Sequence, residues 1–429
     1  MIFCNLVYDN LQYLKSSSYI CTTIAYYKQL IIMSNVLKFE RGMIDHLKES
    51  SKYYPVISLA GPRQAGKSTL LRMAFPDYPY VSMEEPDTAL NVKTDPRGFF
   101  KKYDNGVIID EAQKLPELFS YLQSIVDNDR RPGRFVLSGS QNYLMHRNIT
   151  QSLAGRIDLS TLFPLDFSEI NSIPDWNKNT YRTVINGFYP GKWSSDIPPK
   201  MFYSNYIKTY LERDVSDLVN VGNLTTFRTF LKLIAFKCGT QYKMTDLSND
   251  LNISVNTVKS WISILESSYI IFLLPSYHRN FGKRLLKSSR LYFYDTGLLC
   301  HLLGLHTEES VGASDKYGMI FENLIIAEKY KYKAHRHEDP DMFFFRDSNG
   351  LEVDLIEVHN FHDIDMIEIK SGLTFRPEFI TNMSKLKAFD PKMKMNIIYD
   401  GDETIKLRDY HLMNWRQLHE QRRAKSRVD

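Results

Sequence analysis

The chain of 429 residues contains 54 Lys or Arg and 50 Asp or Glu, which gives a formal net charge of +4. This length exceeds what one hydrophobic core usually serves, so we expect two or three domains. Hydrophobic residues make up 43% of the chain, which excludes wholesale disorder, and the nearly balanced charge does not by itself indicate a polyanionic partner.

Residues 1–34 are predicted to be an N-terminal extension, because Met33 opens a more ordinary protein start. The alternative is an additional helix or strand that docks on the body. The apolar stretch 19–33 is broken by Lys28 and Gln29 and is too short to cross a bilayer, so no membrane partner is expected. The four cysteines are scattered singly, which favours a reducing, cytoplasmic setting.

Residues 35–172 are predicted to form an α/β domain. Short apolar runs alternate there with stretches of helical spacing, such as Ser68–Ala74 and Leu115–Asp127. Continuous apolar runs suit strands that are covered on both faces of a parallel sheet. The predicted strands are Val56–Leu59, Tyr80–Met83, Val107–Ile109 and Phe135–Leu137.

A glycine-rich segment between the first strand and the first helix matches the phosphate-binding pattern G-x-x-x-x-G-K-[ST]. Its glycines let backbone N–H groups surround an anion, and the helix N-terminus adds partial positive charge. In this pattern the lysine reaches the β- and γ-phosphates and the serine hydroxyl holds Mg²⁺. The predicted nucleotide-binding residues are Gly61, Pro62, Arg63, Gln64, Ala65, Gly66, Lys67, Ser68 and Thr69.

Two carboxylates follow the apolar run Val107–Ile109. Asp110 is predicted to bind Mg²⁺ through water, and Glu111 to orient and deprotonate the attacking water. The pair therefore predicts nucleotide hydrolysis rather than simple binding. The guanine-reading pattern Asn-Lys-x-Asp is absent, since residues 177–180 lack the Asp, so ATP with Mg²⁺ is the expected cofactor pair.

Four further polar residues are candidates for contact with the γ-phosphate. Ser140 or Gln141 follows the strand Phe135–Leu137 and can sense the phosphate, although a plain strand-end turn is the alternative. Arg156 or Arg213 can supply charge to the transition state as an arginine finger. The alternative for each arginine is an ordinary salt bridge.

The residue composition and the hydrophobic periodicity change twice from residue 173 onwards. Residues 173–235 are predicted to be a helical lid or connector, and residues 236–300 a winged-helix domain of two helices and a hairpin. The wing carries Arg279, Lys283, Arg284 and Lys287, so DNA contact and a packing role are equally open.

Residues 301–400 are predicted to combine a long helix with several strands, and residues 401–429 to form a C-terminal tail with a basic end. Period-2 alternation places Asp354 on one strand face, and Glu368 shares a face with Lys370 on the next strand. With Glu322 on the preceding helix, they form the pattern Glu…Asp…Glu-x-Lys, in which the carboxylates hold Mg²⁺ and the lysine stabilises developing charge. The alternative is a solvated strand face or an idle site.

Five motifs together resemble the prokaryotic AAA-type ATPases in which an ATPase module precedes a C-terminal domain of unknown function. The resemblance covers about residues 36–389 and implies an AAA+ core, then a winged helix, then a domain similar to the PD-(D/E)XK nuclease fold. It also implies that an arginine acts across a subunit boundary in a homo-oligomer. The motifs are Gly61–Ser68, Asp110–Gln113, Leu137–Ser140, Ser152–Arg156 and Tyr210–Val215.

The predicted function is ATP hydrolysis by an AAA-like protein whose nucleotide state controls a DNA-associated C-terminal module. One alternative is an ATP-regulated DNA nuclease that cuts at Asp354, Glu368 and Lys370. Another is a nucleotide-switched DNA- or protein-binding module that does not cut. Besides ATP, the candidate partners are DNA, another protein and further copies of the chain.

Overall fold

The computed structural model describes residues 39–140, 153–211, 224–277, 289–360 and 362–418. The predicted extension, Gln141, Arg213 and the four basic residues of the predicted wing lie outside these ranges. Within them, none of the helices combines the length and the apolar character that crossing a bilayer requires.

A five-stranded sheet forms the first domain, and its strands pair in parallel in the order β2-β3-β4-β1-β5. Four of the strands lie where the sequence predicts them, and the predicted α/β fold class is confirmed. The fifth was missed because it is an edge strand with one exposed side, so it lacks a continuous apolar run. The strands are β1 (Val56–Ala60), β2 (Tyr80–Ser82), β3 (Val107–Asp110), β4 (Phe135–Gly139) and β5 (Ile157–Thr161).

Helices cover both faces of this sheet, which explains the continuous apolar runs of its strands. One buried cluster joins Leu47 and Leu71 to Ile57, and a second joins Leu122 to Phe135. The helices are α1 (Met43–Ser50), α2 (Lys67–Ala74), α3 (Pro86–Thr94), α4 (Pro96–Lys102) and α5 (Glu117–Asn128), with a 3-10 turn at Ala112–Lys114.

The middle of the chain is helical and ends in an antiparallel hairpin. The helices are α6 (Phe167–Ile170), α7 (Thr180–Asn186), α8 (Pro190–Trp193), α9 (Pro199–Tyr206), α10 (Leu224–Phe236), α11 (Met244–Leu251) and α12 (Val255–Ser267), with a π-helical turn at Ile207–Leu211. The hairpin pairs β6 (Ile271–Leu274) with β7 (Arg290–Phe293). Its strands are almost fully buried, and the N–H of Tyr277, just beyond β6, donates to the carbonyl of Phe344 in the next sheet over 2.6 Å. The hairpin strands therefore pack inside the protein rather than standing free.

The C-terminal region contains a six-stranded mixed sheet in the order β12-β13-β11-β10-β9-β8. We expected this domain to end at residue 400, but its sheet continues to Asn414, and Trp415 is fully buried. The strands are β8 (Met342–Arg346), β9 (Glu352–Asn360), β10 (Asp363–Lys370), β11 (Met393–Tyr399), β12 (Ile405–Lys406) and β13 (Tyr410–Asn414). The helices are α13 (Thr296–Leu302), α14 (Glu308–Gly312), α15 (Tyr317–Ala334) and α16 (Thr381–Lys387), with 3-10 turns at Pro377–Ile380 and Trp415–Gln417.

Candidate functional site

The glycine-rich loop connects β1 to α2 at the carboxyl edge of the parallel sheet, where open α/β sheets bind their ligands. A Cβ at Gly61 would lie 2.1 Å from the carbonyl oxygen of Leu162, so only glycine fits there. Gly66 precedes α2 with φ 92°, in the left-handed region that favours glycine. These two positions let the loop curl over the N-terminus of α2, as an anion-binding loop requires.

Lys67 crosses this loop. Its Nζ donates hydrogen bonds to the carbonyl oxygens of Gly61 and Pro62, over 2.9 and 3.0 Å, and the residue is 7% exposed. The ammonium is thus held beside the loop that the sequence predicts to carry the phosphates. Thr69 follows on the first turn of α2.

Hydroxyl groups surround the carboxylate of Asp110 at the end of β3. Ser68 Oγ donates to Oδ2 of Asp110 over 3.0 Å. Tyr80 donates to the same oxygen, and Ser138 donates to Oδ1. Burial and the bond to Asp110 raise the pKa of Tyr80 to about 12, so this hydroxyl stays a proton donor at neutral pH. The two residues predicted to hold Mg²⁺ therefore lie in contact with each other.

Glu111 is held by two neighbouring side chains. Its Oε2 accepts hydrogen bonds from Nε2 of Gln113 and, over 2.9 Å, from Oγ of Ser140. Its backbone has φ 51°, an uncommon conformation for a residue with a side chain and one that clusters at functional sites. Ser140 was predicted to sense the γ-phosphate, and the structure places its hydroxyl against the predicted general base.

Tyr210 lies against the outer side of the loop. Its hydroxyl accepts a hydrogen bond of 3.1 Å from Nε2 of Gln64, and the guanidinium of Arg63 lies 5.5 Å from its ring centroid. The turn Ile207–Leu211 therefore contacts the predicted nucleotide loop.

Of the two arginine-finger candidates, the structure describes Arg156 but not Arg213. Arg156 donates from Nε to Oδ1 of Asp127 over 2.5 Å, and from a terminal nitrogen to the carbonyl of Ala154 over 3.1 Å. This is the salt bridge that the sequence left open as the alternative. Arg213 lies outside the described residues, as does Gln141, and a finger role for either arginine stays a prediction.

The buried side chain of Arg41 is hydrogen-bonded to the backbone of the glycine-rich loop. Arg41 donates to the carbonyl oxygens of Ala65 and Phe163 over 2.7 and 2.8 Å, and its Nε lies 3.0 Å from Oε1 of Glu169. Burial alone would raise the pKa of Glu169, but the charges of Arg41 and His335 together outweigh it, and the pKa is lowered. Sequence reasoning missed this pair, because no motif joins residues so far apart in the chain.

Helix α15 and the residue that follows it, His335, are bonded to residues 163–167 through three ionisable side chains. Glu328 accepts from the N–H of Phe167 over 2.9 Å, and Lys331 donates to the carbonyl of Leu165 over 2.7 Å. His335 accepts from the N–H of residue 163 over 3.1 Å. We call these contacts between residues 163–167 and α15 the α15 seam. The spacing of 328, 331 and 335 places them on one helical face, which was the available sequence signal.

The predicted carboxylate cluster of the C-terminal domain spans α15, β9 and β10. Oδ2 of Asp354 accepts from the N–H of Ile369 over 2.8 Å, and Nζ of Lys370 lies 2.6 Å from Oε1 of Glu368. Glu322 accepts from the hydroxyl of Tyr292 over 2.6 Å. Oε2 of Glu368 is buried and has no hydrogen-bond partner among the described residues.

Burial makes these carboxyl groups reluctant to ionise. Burial and the charge of Asp354 raise the pKa of Glu322 to about 8 and that of Glu368 to about 7. Burial also raises the pKa of Asp354. Burial lowers the pKa of Lys370, but Asp354 and Glu368 outweigh this and raise it. Burial therefore favours the protonated form of these carboxyl groups, although Arg290, 3.9 Å from Oε1 of Glu322, adds a second cation beside Lys370.

Besides the carboxylate cluster, the described residues contain three groups of side chains that could hold a metal ion. In each group the potential ligand atoms all lie within 4.8 Å of one another. Glu322, Asp354 and Glu368 form no such group among the described residues, so the structure brings them to one region without a closed metal-binding geometry. The three groups are His46 with Asp158 and His337, Asp166 with Glu169 and His335, and Glu357 with His359 and Asp365.

Family models match three consecutive parts of the chain. A model described as an AAA domain matches residues 53–171, and two domains of unknown function, DUF8612 and DUF4143, match residues 177–309 and 317–418. The chain thus carries an AAA-like P-loop ATPase domain. The winged-helix and nuclease-like assignments have no counterpart in these descriptions and stay predictions.

Several proteins are similar over most of the chain. Uncharacterized protein Rv2008c of Mycobacterium tuberculosis is 27% identical over 88% of this chain and 83% of its own length. Uncharacterized protein MJ1544 of Methanocaldococcus jannaschii is 21% identical over 69% of this chain and 70% of its own. Among solved structures, the Walker-type ATPase PABY2304 of Pyrococcus abyssi aligns over 61% of this chain and 94% of its own, with 17% identity and a TM-score of 0.38.

Two residues that contact Asp110 in the predicted nucleotide site were missed by sequence reasoning. Tyr80 opens β2, where an aromatic residue is read as part of an apolar strand rather than as a hydroxyl donor. Ser138 lies inside β4 and only its proximity to Asp110 identifies it.

Proposed function

We propose that the protein binds ATP with Mg²⁺ in the loop 61–68 and hydrolyses it. The contact between Ser68 and Asp110 carries this proposal, because it joins the two oxygen donors that hold Mg²⁺ in P-loop enzymes. Oxygen ligands of this kind, a carboxylate and a hydroxyl, suit Mg²⁺. The residues present therefore fit the expected metal and nucleotide.

Each residue has a distinct part in the reaction. The loop N–H groups and Lys67 bind the phosphates and stabilise negative charge that develops on them. Glu111, oriented by Gln113 and Ser140, accepts a proton from the attacking water. The water oxygen then bonds to the γ-phosphorus, the bond to the bridging β–γ oxygen breaks, and ADP and phosphate leave. Ser68 and Asp110 would hold Mg²⁺, which would supply positive charge to the phosphates.

Phosphate release by the purified protein tests the proposal. Lys67→Ala is expected to abolish nucleotide binding or turnover, and Glu111→Gln to keep ATP binding while lowering kcat by about 10²- to 10⁴-fold. Lys48→Ala, on the neighbouring helix α1, is the matched control and should leave turnover unchanged. Turnover retained in Lys67→Ala would overturn the assignment.

We further propose that nucleotide state acts on the C-terminal domain through the α15 seam. Arg41 links the loop carbonyl of Ala65 to that of Phe163, and the N–H of Phe163 donates in turn to His335, the residue that follows α15. The same helix carries Glu322 in its N-terminal half. A shift of the loop on nucleotide binding therefore has a continuous bonded route to the carboxylate cluster.

Hydrogen exchange tests this coupling. The Glu111→Gln protein should show altered exchange in residues 317–334 when ATP and Mg²⁺ are added, and Lys67→Ala should show none. Lys331→Met, which cuts the seam without touching the loop, should retain ATP binding and lose the change in α15. An unaltered exchange pattern in α15 of the ATP-bound protein would contradict the coupling.

A second candidate function is metal-dependent cleavage of phosphodiester bonds in DNA by the carboxylate cluster. The observation in its favour is the unpartnered Oε2 of Glu368 beside carboxyl groups whose pKa values are raised, since a divalent cation relieves both conditions. Glu322, Asp354 and Glu368 would hold the metal, and Lys370 would stabilise negative charge on the phosphate. A bound metal would supply Lewis-acid activation of water.

DNA integrity measured during ATP turnover separates the candidates. Cleavage of linear or circular DNA that stops in Asp354→Asn, while phosphate release persists, supports the nuclease. Phosphate release with intact DNA supports a nucleotide-switched DNA- or protein-binding module instead. For such a module, the burial of β6 and β7 favours a packing role for the hairpin strands over direct contact with DNA.

A further inference from the structure

A cavity of about 790 Å³ lies on the face of the C-terminal sheet that α15 covers. Side chains from α15, β9, β10, β11 and β13 line it, so it is separate from the nucleotide loop and from the carboxylate cluster. Its volume falls in the range of about 300–1,000 Å³ that small-molecule sites occupy. Seven Lys or Arg side chains line it against four Asp or Glu.

Two of the carboxylates inside the cavity are already neutralised. Nζ of Lys329 donates to Oε2 of Glu357 over 2.6 Å. Asp365 accepts from Asn396 over 3.2 Å and contacts Nε2 of His359 at 3.0 Å. Burial alone would raise the pKa of Asp365, but His359, Lys329 and Asn396 together outweigh it, and the pKa is lowered. Two further lining cations are paired with acids outside the lining, Lys394 with Asp363 and Arg336 with Asp166. Among the described residues, the lining side chains without a salt bridge are therefore four cations and two carboxylates, which leaves a smaller excess of positive charge.

Lys329 and Lys333 are the two largely buried lysines of the lining, and Lys333 is the one without an ion pair among the described residues. The residue is 8% exposed, and none of the described residues forms an ion pair or hydrogen bond with its ammonium. Nζ of Lys333 is not among the buried polar atoms of the described residues that lack a partner, so the ammonium reaches the open space of the cavity, where an anion can pair with it. Lys406 and Arg408 add two exposed cations at the rim, on and just after β12.

We propose that this cavity is a second binding site, for a phosphorylated small molecule that pairs with Lys333 and is drawn in by Lys406 and Arg408. Phosphate is the matching chemistry because it presents several charged acceptors to converging ammonium and guanidinium donors. The site is independent of ATP hydrolysis at the loop, so either assignment can fail without the other.

Calorimetric titration with inorganic pyrophosphate tests the site, in the Lys67→Ala protein so that the nucleotide loop contributes little. Pyrophosphate should bind, and Lys333→Met should weaken binding by about tenfold or more, as expected for a lost charge-assisted hydrogen bond. Arg408→Met should also weaken it, and this exposed residue carries little risk to folding. Lys385→Met, an exposed lysine of α16 outside the cavity, is the matched control.

Two outcomes would overturn the inference. Pyrophosphate binding that is equal in Lys333→Met, Arg408→Met and the control would place the anion elsewhere. Binding of a short single-stranded DNA that depends on Lys333, with no binding of pyrophosphate, would make the cavity a nucleic-acid surface instead.

Discussion

The hydroxyl of Ser68 donates a hydrogen bond of 3.0 Å to Oδ2 of Asp110, 42 residues further along the chain. If both residues share Mg²⁺, Ser68→Ala should raise the Mg²⁺ concentration needed for half-maximal ATP turnover by about 10- to 100-fold, as loss of a group that supports a metal site does. Turnover measured across a Mg²⁺ series checks this. Ser68→Thr keeps the hydroxyl and should retain the wild-type requirement.

Ser140 is expected to act as a positioning residue for Glu111. Ser140→Ala removes a hydrogen bond to the carboxylate, which should lower kcat for ATP hydrolysis by about 10- to 100-fold and leave KM unchanged. Steady-state kinetics measure both constants. Ser140→Thr should restore most of kcat, and a change confined to KM would show that Ser140 contacts the nucleotide instead.

The sequence predicted the parallel sheet and the residues around its carboxyl edge because both leave local patterns. The apolar run before Asp110 and the spacing of Gly61, Gly66 and Lys67 are each visible within a few residues. Tyr80 and Ser138 were missed because a hydroxyl group in a strand has no pattern of its own. Their role arises only when β2, β3 and β4 become neighbours.

Long-range ionic contacts were beyond sequence reasoning for a different reason. Arg41 meets Glu169 across more than a hundred residues, and many other carboxylates were equally available to it. The residues of the C-terminal carboxylate cluster were predicted, because the period-2 alternation of a strand determines which side chains share one face of the sheet. The geometry of the cluster was not, since the distances among Glu322, Asp354 and Glu368 depend on how α15 packs on the sheet.

Arg41 is expected to be critical for stability. Arg41→Met leaves the buried carboxylate of Glu169 without its main counter-charge, which should cost about 3–5 kcal/mol of unfolding free energy. Chemical denaturation followed by tryptophan fluorescence measures the change. Arg131→Met, which breaks an exposed pair with Asp104, is the control and should leave the midpoint almost unchanged. Equal effects of the two substitutions would contradict the buried-charge argument.

The raised pKa of Glu322 predicts how stability depends on pH. The ordinary value is 4.5 and the folded value is about 8, so the folded protein holds a proton that the unfolded chain releases. Between pH 4.5 and about pH 8, the unfolded state therefore binds fewer protons than the folded state. The contribution to stability is therefore fully present below about pH 4.5 and is lost as pH rises towards 8.

Denaturation midpoints measured in EDTA between pH 5 and pH 8 should consequently fall less steeply in Glu322→Gln than in the wild type, because the amide has no proton to lose. Glu378→Gln, an exposed position in the 3-10 turn Pro377–Ile380, should follow the wild-type slope. Added Mn²⁺ should raise the wild-type midpoint most at the alkaline end, since a metal competes with protons for the carboxylates. Parallel curves for Glu322→Gln and the wild type would show that this carboxyl is not the titrating group.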